Sequence, residues 1–229
     1  MKVSALIPVK GFRNAKQRLS PLLDSAEREL LAEMMFRDVL MQVVRARGLV
    51  ESYVVTGDDR VAAIASSLGA CVIREKAEKG ETDAVDFARA ELKRMGREAV
   101  LIMPADMPLV RSEDIEQILA QVPQEAKPPF ALLVPSHDRM GTNALLLAPP
   151  DVIKLRFGYD SFSYHMSQVS GQGLPIRFIE NERIALDIDE PKDLQRFLVS
   201  RPQGGQTYKI ARRMSAEQEV PTARRSGGL

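Results

Sequence analysis

Three groups of side chains in this sequence have the types and spacing to act on a phosphate. The first is a run of cations, Lys10, Arg13, Lys16 and Arg18, set around Gly11 in KGFRNAKQRL. A polyphosphate needs compensating charge and close backbone approach, and this loop offers both; the competing reading is a solvated basic surface loop. It is neither a Walker A motif nor a GxGxxG turn. The second is Asp106 in LIMPADMPLV, a lone acid between Pro104 and Pro108 at the end of an apolar run. It reads equally as a turn-former bonding local amides and as an acid aimed at a ligand. The third is LDIDEP, where Asp187 and Asp189 stand two apart in a predicted strand, on one face and roughly 6.5–7 Å apart at Cα. Like charges so placed call for a counter-charge, and Mg²⁺ commonly takes one or two carboxylates together with phosphate oxygens. The alternative has Asp189 capping the helix that begins at EPKDL. Together, a basic loop and three acids at strand ends make a metal-assisted phosphoryl or nucleotidyl transfer site.

The elements that must position these groups follow from periodicity. VSALIPV (3–9) is a short buried strand, SYVVT (52–56) a second, ACVI (70–73) a third and AVLIM (99–103) a fourth. Between them DSAERELLAEMMFRDVLMQVVRAR predicts a helix, with Leu31, Met35, Val39 and Val43 four apart and a capping box from Asp24 to Glu27. DDRVAAIASSLG and DAVDFARAELKRMG predict further helices, the latter with Val85, Ala88, Leu92 and Met95 on one face, and SEDIEQILAQV another with Ser112 as N-cap. Alternating strands and helices mean a mainly parallel sheet covered on both faces, with ligands beyond the carboxyl ends of its strands. FALLVPS and NALLLAP have no helix between them and predict an antiparallel insertion; PIRFIE and IALDID read as short strands, and EPKDLQRFLVS as a closing helix. This places one domain over 1–200. From 201 to 229 the periodicity vanishes, which predicts a flexible tail.

Composition narrows the function. The 229 residues carry 32 Lys+Arg against 31 Asp+Glu, a net charge of +1, so no nucleic acid or membrane partner is expected. No apolar run is long enough for a membrane span and no signal peptide is read, so a cytoplasmic location is expected. The single cysteine, Cys71 in LGACVI, reads as a buried structural thiol. His137 reads as a loop residue; His165 is open between a phosphate contact and an uninvolved surface position.

In order, IPVK with NAKQRL, VVTGD, PADMPLV, GTNALLL, RFGYDSFSYH and LDIDEPKDL resemble the CofC family, the guanylyltransferases that make the precursor of coenzyme F-420. The resemblance runs from about residue 3 to 198. It implies a Rossmann-like α/β nucleotidyltransferase fold, with a mostly parallel mixed sheet flanked by helices, and transfer of GMP from GTP to a small phosphorylated three-carbon acid with release of pyrophosphate. The acid is 2-phospho-L-lactate, phosphoenolpyruvate or 3-phospho-D-glycerate. By the same resemblance Asp106, Asp187 and Asp189 match Mg²⁺ ligands, and Lys10, Lys16 and Arg18 the phosphate-binding loop. Lys16 and Asp106 are the catalytic pair, and Thr142, Gly158 and Ser161 hold the acid. Thr82 and Asp83 stand where the family carries an apolar–amide pair lining the nucleotide, and Tyr159 and Tyr164 where it carries Pro or Ala and Arg. A cytidylyl- or molybdopterin-type transferase of the same fold, and a catalytically silent nucleotide-binding regulator, are the alternatives. The assembly state, a homodimer among the options, is not readable from the chain.

Overall fold

The computed structural model describes residues 1–75, 80–122 and 129–219. Six strands, β1 (Val3–Pro8), β2 (Leu49–Thr56), β3 (Cys71–Arg74), β4 (Ala99–Ile102), β5 (Phe130–Pro135) and β6 (Thr142–Ala148), form one sheet in the order β3-β2-β1-β4-β6-β5. β1 pairs in parallel with β2 and β4, and β2 with β3. β6 runs antiparallel to both β4 and β5, as the absence of a crossover helix between the last two apolar runs predicts. The chain moves from β1 outward to β3, then returns to the other side of β1 for β4. The switch point therefore lies between β1 and β4, where the loops leaving both strands open a crevice.

Side chains alternate across each strand, so neighbouring residues serve opposite faces. Ile7, Val54 and Leu101 pack with Phe36, Val39 and Val43 of α1 (Ser25–Arg45), together with α2 (Asp59–Ser67) and α4 (Ser112–Ala120). Leu6, Val55 and Ile102 pack on the other face with Val85, Ala88 and Leu92 of α3 (Glu81–Arg94) and with Phe162 and Val169 of α5 (Ser161–Gly171). Each fully buried side chain of this size contributes about 1.5–3 kcal/mol. α1 starts at the expected box: Asp24 accepts from Glu27 N, and Glu27 returns a carboxylate to Asp24 N. α4 differs from expectation. Ser112 is its first residue, and the carboxylate of Asp114 caps it by accepting from Arg111 N at 2.9 Å. Met95 lies at the end of α3 and is exposed, and Cys71 opens an edge strand with its thiol exposed, not buried.

Two segments read as strands are not strands. Over 175–180 only Phe178 bridges Leu133, and 184–189 forms no ladder. The alternation survives in the second: Leu186 and Ile188 are buried while Asp187 and Asp189 turn outward.

The expected flexible tail also needs correction. Past α6 (Pro191–Ser200), Gly204 and Gly205 take positive φ and reverse the chain into α7 (Gln206–Glu219). A Cβ on Gly205 would meet Asp38 Oδ2 at 3.0 Å. Asp38 accepts from Thr207 N at 2.8 Å and from Thr207 Oγ1 at 2.7 Å. Thr207, Ala211 and Met214 fall on one helical face, and all three are buried; Ala211 and Met214 pack with Leu31, Met35 and Phe197. A face made of Thr, Ala and Met among Arg and Gln carries little hydrophobic signal. Residues 220–229 lie outside the described residues. Met214→Ala is expected to lower the unfolding free energy by about 2 kcal/mol or more, and a chain ended at Ser200 by more still. Urea denaturation measures both, and unchanged midpoints would mean that α7 does not dock.

Candidate active site

The loop after β1 carries Lys16 into the crevice, and the loop after β4 carries Asp106 to meet it. Lys16 Nζ lies 2.6 Å from Asp106 Oδ2 and 2.8 Å from Asp189 Oδ1. Burial pushes the ammonium down, but Asp106 and Asp189 outweigh it and hold Lys16 above its usual range. Burial likewise pushes Asp189 up, and Lys16 more than offsets that, keeping the carboxyl below its usual range. Asp106 is set by its neighbours in sequence: Met103, Met107 and Val110 are buried on the sheet core, and Asp106 O accepts from Ile188 N at 3.0 Å. That last bond ties the 184–189 segment to the β4 loop and brings Asp187 alongside. Asn143, at the start of β6, donates to Asp187 Oδ1 at 3.0 Å. Burial, then the nearby Asp106, raises the Asp187 carboxyl.

The capping alternative for Asp189 does not hold. Glu190 is the N-cap of α6, and Asp193 accepts from Glu190 N at 2.9 Å. Asp189 is left to Lys16. The turn reading of Asp106 is also insufficient, since its Oδ2 reaches a side chain 90 residues away.

Two adjoining cavities meet here, about 460 and 390 Å³ in volume. Both are lined by Glu81, Pro104, Asp106 and Asp189, with Arg18 at the rim. The first is bounded by the basic loop, including Lys10, Gly11 and Lys16. Arg13 is exposed and does not line it. Arg18 is largely exposed, 3.7 Å from Glu190. The second cavity holds Thr142, Gly158, Ser161 and Asp187. Gly158 has φ +101, a conformation that side chains rarely adopt, and its carbonyl accepts from Ser161 N at 3.2 Å. Thr142 N donates to Ser161 Oγ at 3.0 Å, and Thr142 Oγ1 lies 2.9 Å from His165 Nδ1. The structure thus gathers Lys10, Lys16, Arg18, Asp106, Asp187, Asp189, Thr142, Gly158 and Ser161 around one crevice and leaves Arg13 outside it.

Sequence reasoning missed several partners. Glu81, on the seam between the cavities, looks in sequence like an ordinary acid in the first turn of α3; burial, then the charge of Asp106, pushes its carboxyl up to about 7. Asp83 is exposed and lines neither cavity. Thr82 Oγ1 accepts from Phe157 N at 3.1 Å, linking α3 to the Gly158 turn. Arg156 lies over the Tyr164 ring at 4.4 Å, and Tyr159 is 86% exposed at the mouth of the second cavity. His137 is an exposed loop residue, whereas His165 is fully buried and not at the surface. No described helix is long and apolar enough to cross a membrane.

Among known proteins, a phosphoenolpyruvate guanylyltransferase of Rubrobacter xylanophilus is 37% identical over 212 residues, covering 93% of this chain and 100% of that protein. A 2-phospho-L-lactate guanylyltransferase of Methanothermobacter thermautotrophicus is 33% identical over 198 residues, covering 85% and 83%. Among solved structures, one from Desulfovibrio desulfuricans superposes with TM-score 0.76 at 19% identity, covering 94% of this chain and 96% of the other. A cytidylyltransferase from Leptospira borgpetersenii superposes with TM-score 0.59 at 14% identity over the whole of both chains. These likenesses show the nucleotidyltransferase fold. The match to the family described as guanylyl transferase CofC like extends over residues 3–225. With the crevice at the β1–β4 switch point and relatives of this identity over nearly its full length, the chain belongs to the CofC-like guanylyltransferase family.

Proposed function

We propose that this protein transfers GMP from GTP to phosphoenolpyruvate, with 2-phospho-L-lactate as the second candidate acceptor. The observation that carries the reading is the pair of cavities sharing Asp106, Asp189 and Glu81, one bounded by the basic loop and the other by hydroxyls. GTP occupies the first with its triphosphate along Lys10, Lys16 and Arg18. The acid occupies the second against Thr142, Gly158 and Ser161. An oxygen of the acceptor's phosphate then bonds to the α-phosphorus from the far side, and the bond to the leaving pyrophosphate breaks. The acceptor's phosphate is already ionised near pH 7, so no protein nucleophile is required. Lys16, standing at the seam, donates to the phosphate oxygens on which charge accumulates.

The donor chemistry of the residues present suits Mg²⁺. Asp106 Oδ1 is buried with no hydrogen-bond partner among the described residues, and four carboxyls converge on the seam with one buried ammonium among them. The acids do not stand at metal-ligand spacing here, and the ammonium of Lys16 lies between two of them. Asp106, Asp187 and Asp189, hard oxygen donors, would hold the ion. When bound, Mg²⁺ supplies positive charge to the α-phosphate and the leaving pyrophosphate.

Pyrophosphate release tests the reading: GTP with phosphoenolpyruvate is expected to turn over fastest among GTP, CTP and ATP crossed with the three acids. GTP binding without turnover on any acid would favour a silent regulator. Asp106→Asn keeps the shape of the loop and removes a charge from the seam; turnover is expected to drop by about 10²-fold or more. Near-normal turnover would return Asp106 to turn chemistry.

Glu81 gives a pH signature. Its carboxyl titrates near 4.5 unfolded and at about 7 folded. Between those values the folded state binds more protons, so this group's contribution to stability is full below about 4.5 and lost as pH rises through 7. In metal-free protein, Glu81→Gln is therefore expected to raise the melting temperature relative to the parent more at pH 8 than at pH 5. An equal shift at both pH values would mean that Glu81 titrates normally.

A further inference from the structure

Beneath the acceptor cavity lies a buried residue that the reaction above does not use. His165 is fully buried and does not line the cavity. Both ring nitrogens are engaged: Nε2 accepts from the backbone N–H of Arg156 at 3.2 Å, and Nδ1 faces Thr142 Oγ1 at 2.9 Å. A backbone N–H can only donate, so Nε2 is bare and the neutral ring carries its one proton on Nδ1. Burial, with Arg156 and Arg89 nearby, pushes the imidazole down to about 4, which keeps it neutral at pH 7. Nδ1–H therefore donates to Thr142 Oγ1, and the hydrogen of that hydroxyl must point elsewhere. Ser161 is constrained in the same sense, because its Oγ accepts from Thr142 N–H at 3.0 Å. Both residues line the cavity.

We propose that His165 is a positioning residue that fixes Thr142 as a hydrogen-bond donor, so that Thr142 and Ser161 present two hydrogens to the anionic oxygens of the acceptor. The inference rests on the acceptor reading above and deepens it. A free hydroxyl accepts as readily as it donates; one whose oxygen already receives an N–H is polarised toward donation. Carboxylate and phosphate oxygens only accept, and hydrogen bonds to them are charge-assisted. The arrangement selects an ionised acid over its amide or ester. Arg156 takes no part in it, being committed to the Tyr164 face and to Asp160 O at 3.3 Å.

The tautomer is directly measurable. The chain has only two histidines, so imidazole ¹⁵N spectra of the unmodified protein at pH 7 resolve both. His165 is expected as the Nδ1–H form, and the Nε2–H form would overturn the proposal whatever the reaction turns out to be. The functional half is a double-mutant cycle with GTP and phosphoenolpyruvate. Thr142→Val and His165→Gln should each raise the KM for the acid about tenfold, the scale of a lost charge-assisted hydrogen bond, and leave the KM for GTP unchanged. Together they should be no worse than either alone. His165→Asn, whose amide N–H stands near the place of Nδ1, should recover most of the loss. Multiplicative effects in the double variant, or equal losses in Gln and Asn, would show that His165 acts through packing alone. If His165→Gln does not fold, the tautomer decides. Failure of the transferase reading has a different signature: the unmodified protein would release no pyrophosphate with any of the acids.

Discussion

The ammonium of Lys16, shared by Asp106 and Asp189, is the interaction on which the rest of the site depends. It joins three segments at one point: the loop after β1, the loop after β4 and the approach to α6. Burying one cation against one carboxylate roughly breaks even, because desolvation of both ions offsets their attraction. Two carboxylates on one ammonium shift that balance, as the raised Lys16 shows. The cost appears in the backbone, where Lys16 sits at φ 51 and ψ 44, left-handed geometry that a side chain adopts only when its surroundings hold it there. Leu19 supplies part of that hold, buried in the same cluster as Ile188 and Met214. The basic loop, the acidic segment and the last helix are thus clamped by one apolar cluster beneath one ion pair.

The reversed strand solves a second placement problem. In a purely parallel sheet, only strand ends reach the crevice. β6 runs the other way, so its first residues, Thr142 and Asn143, lie where the last residues of β4 point. Thr142 faces the second cavity and Asn143 fixes Asp187. The insertion that looks like a departure from the parallel pattern is what brings Thr142 to the wall of the second cavity.

Much of this was legible in the chain. The strand and helix order followed from apolar periodicity because each element packs on a sheet core that rewards one period only, as the buried faces of α1 and α3 illustrate. Asp106, Asp187 and Asp189 stand out as acids among apolar residues, and Lys16 as one of four cations in a short loop. What escaped were features set by long-range packing. Nothing local distinguishes Glu81 from a helix-dipole acid, the surface reading of His165 gave no hint of a ring buried under a cavity, and α7 shows too little apolar contrast to be read as a docked helix. The 184–189 segment is no strand, yet its side chains alternate as a strand's would, since extended chain alternates whether or not a ladder binds it.

The division of the crevice follows chain order. The first cavity is lined almost wholly by residues before 107, with Asp189 the exception, whereas the second draws most of its wall from 136 onward. On the proposed assignment of the two cavities, the nucleotide and the acceptor are specified by different stretches of the chain, with Glu81, Asp106 and Asp189 common to both. Gly158, Thr142 and Ser161 line the second cavity and not the first. If that assignment holds, substitutions at these three positions alter the acceptor's wall while the residues bounding the first cavity stay in place.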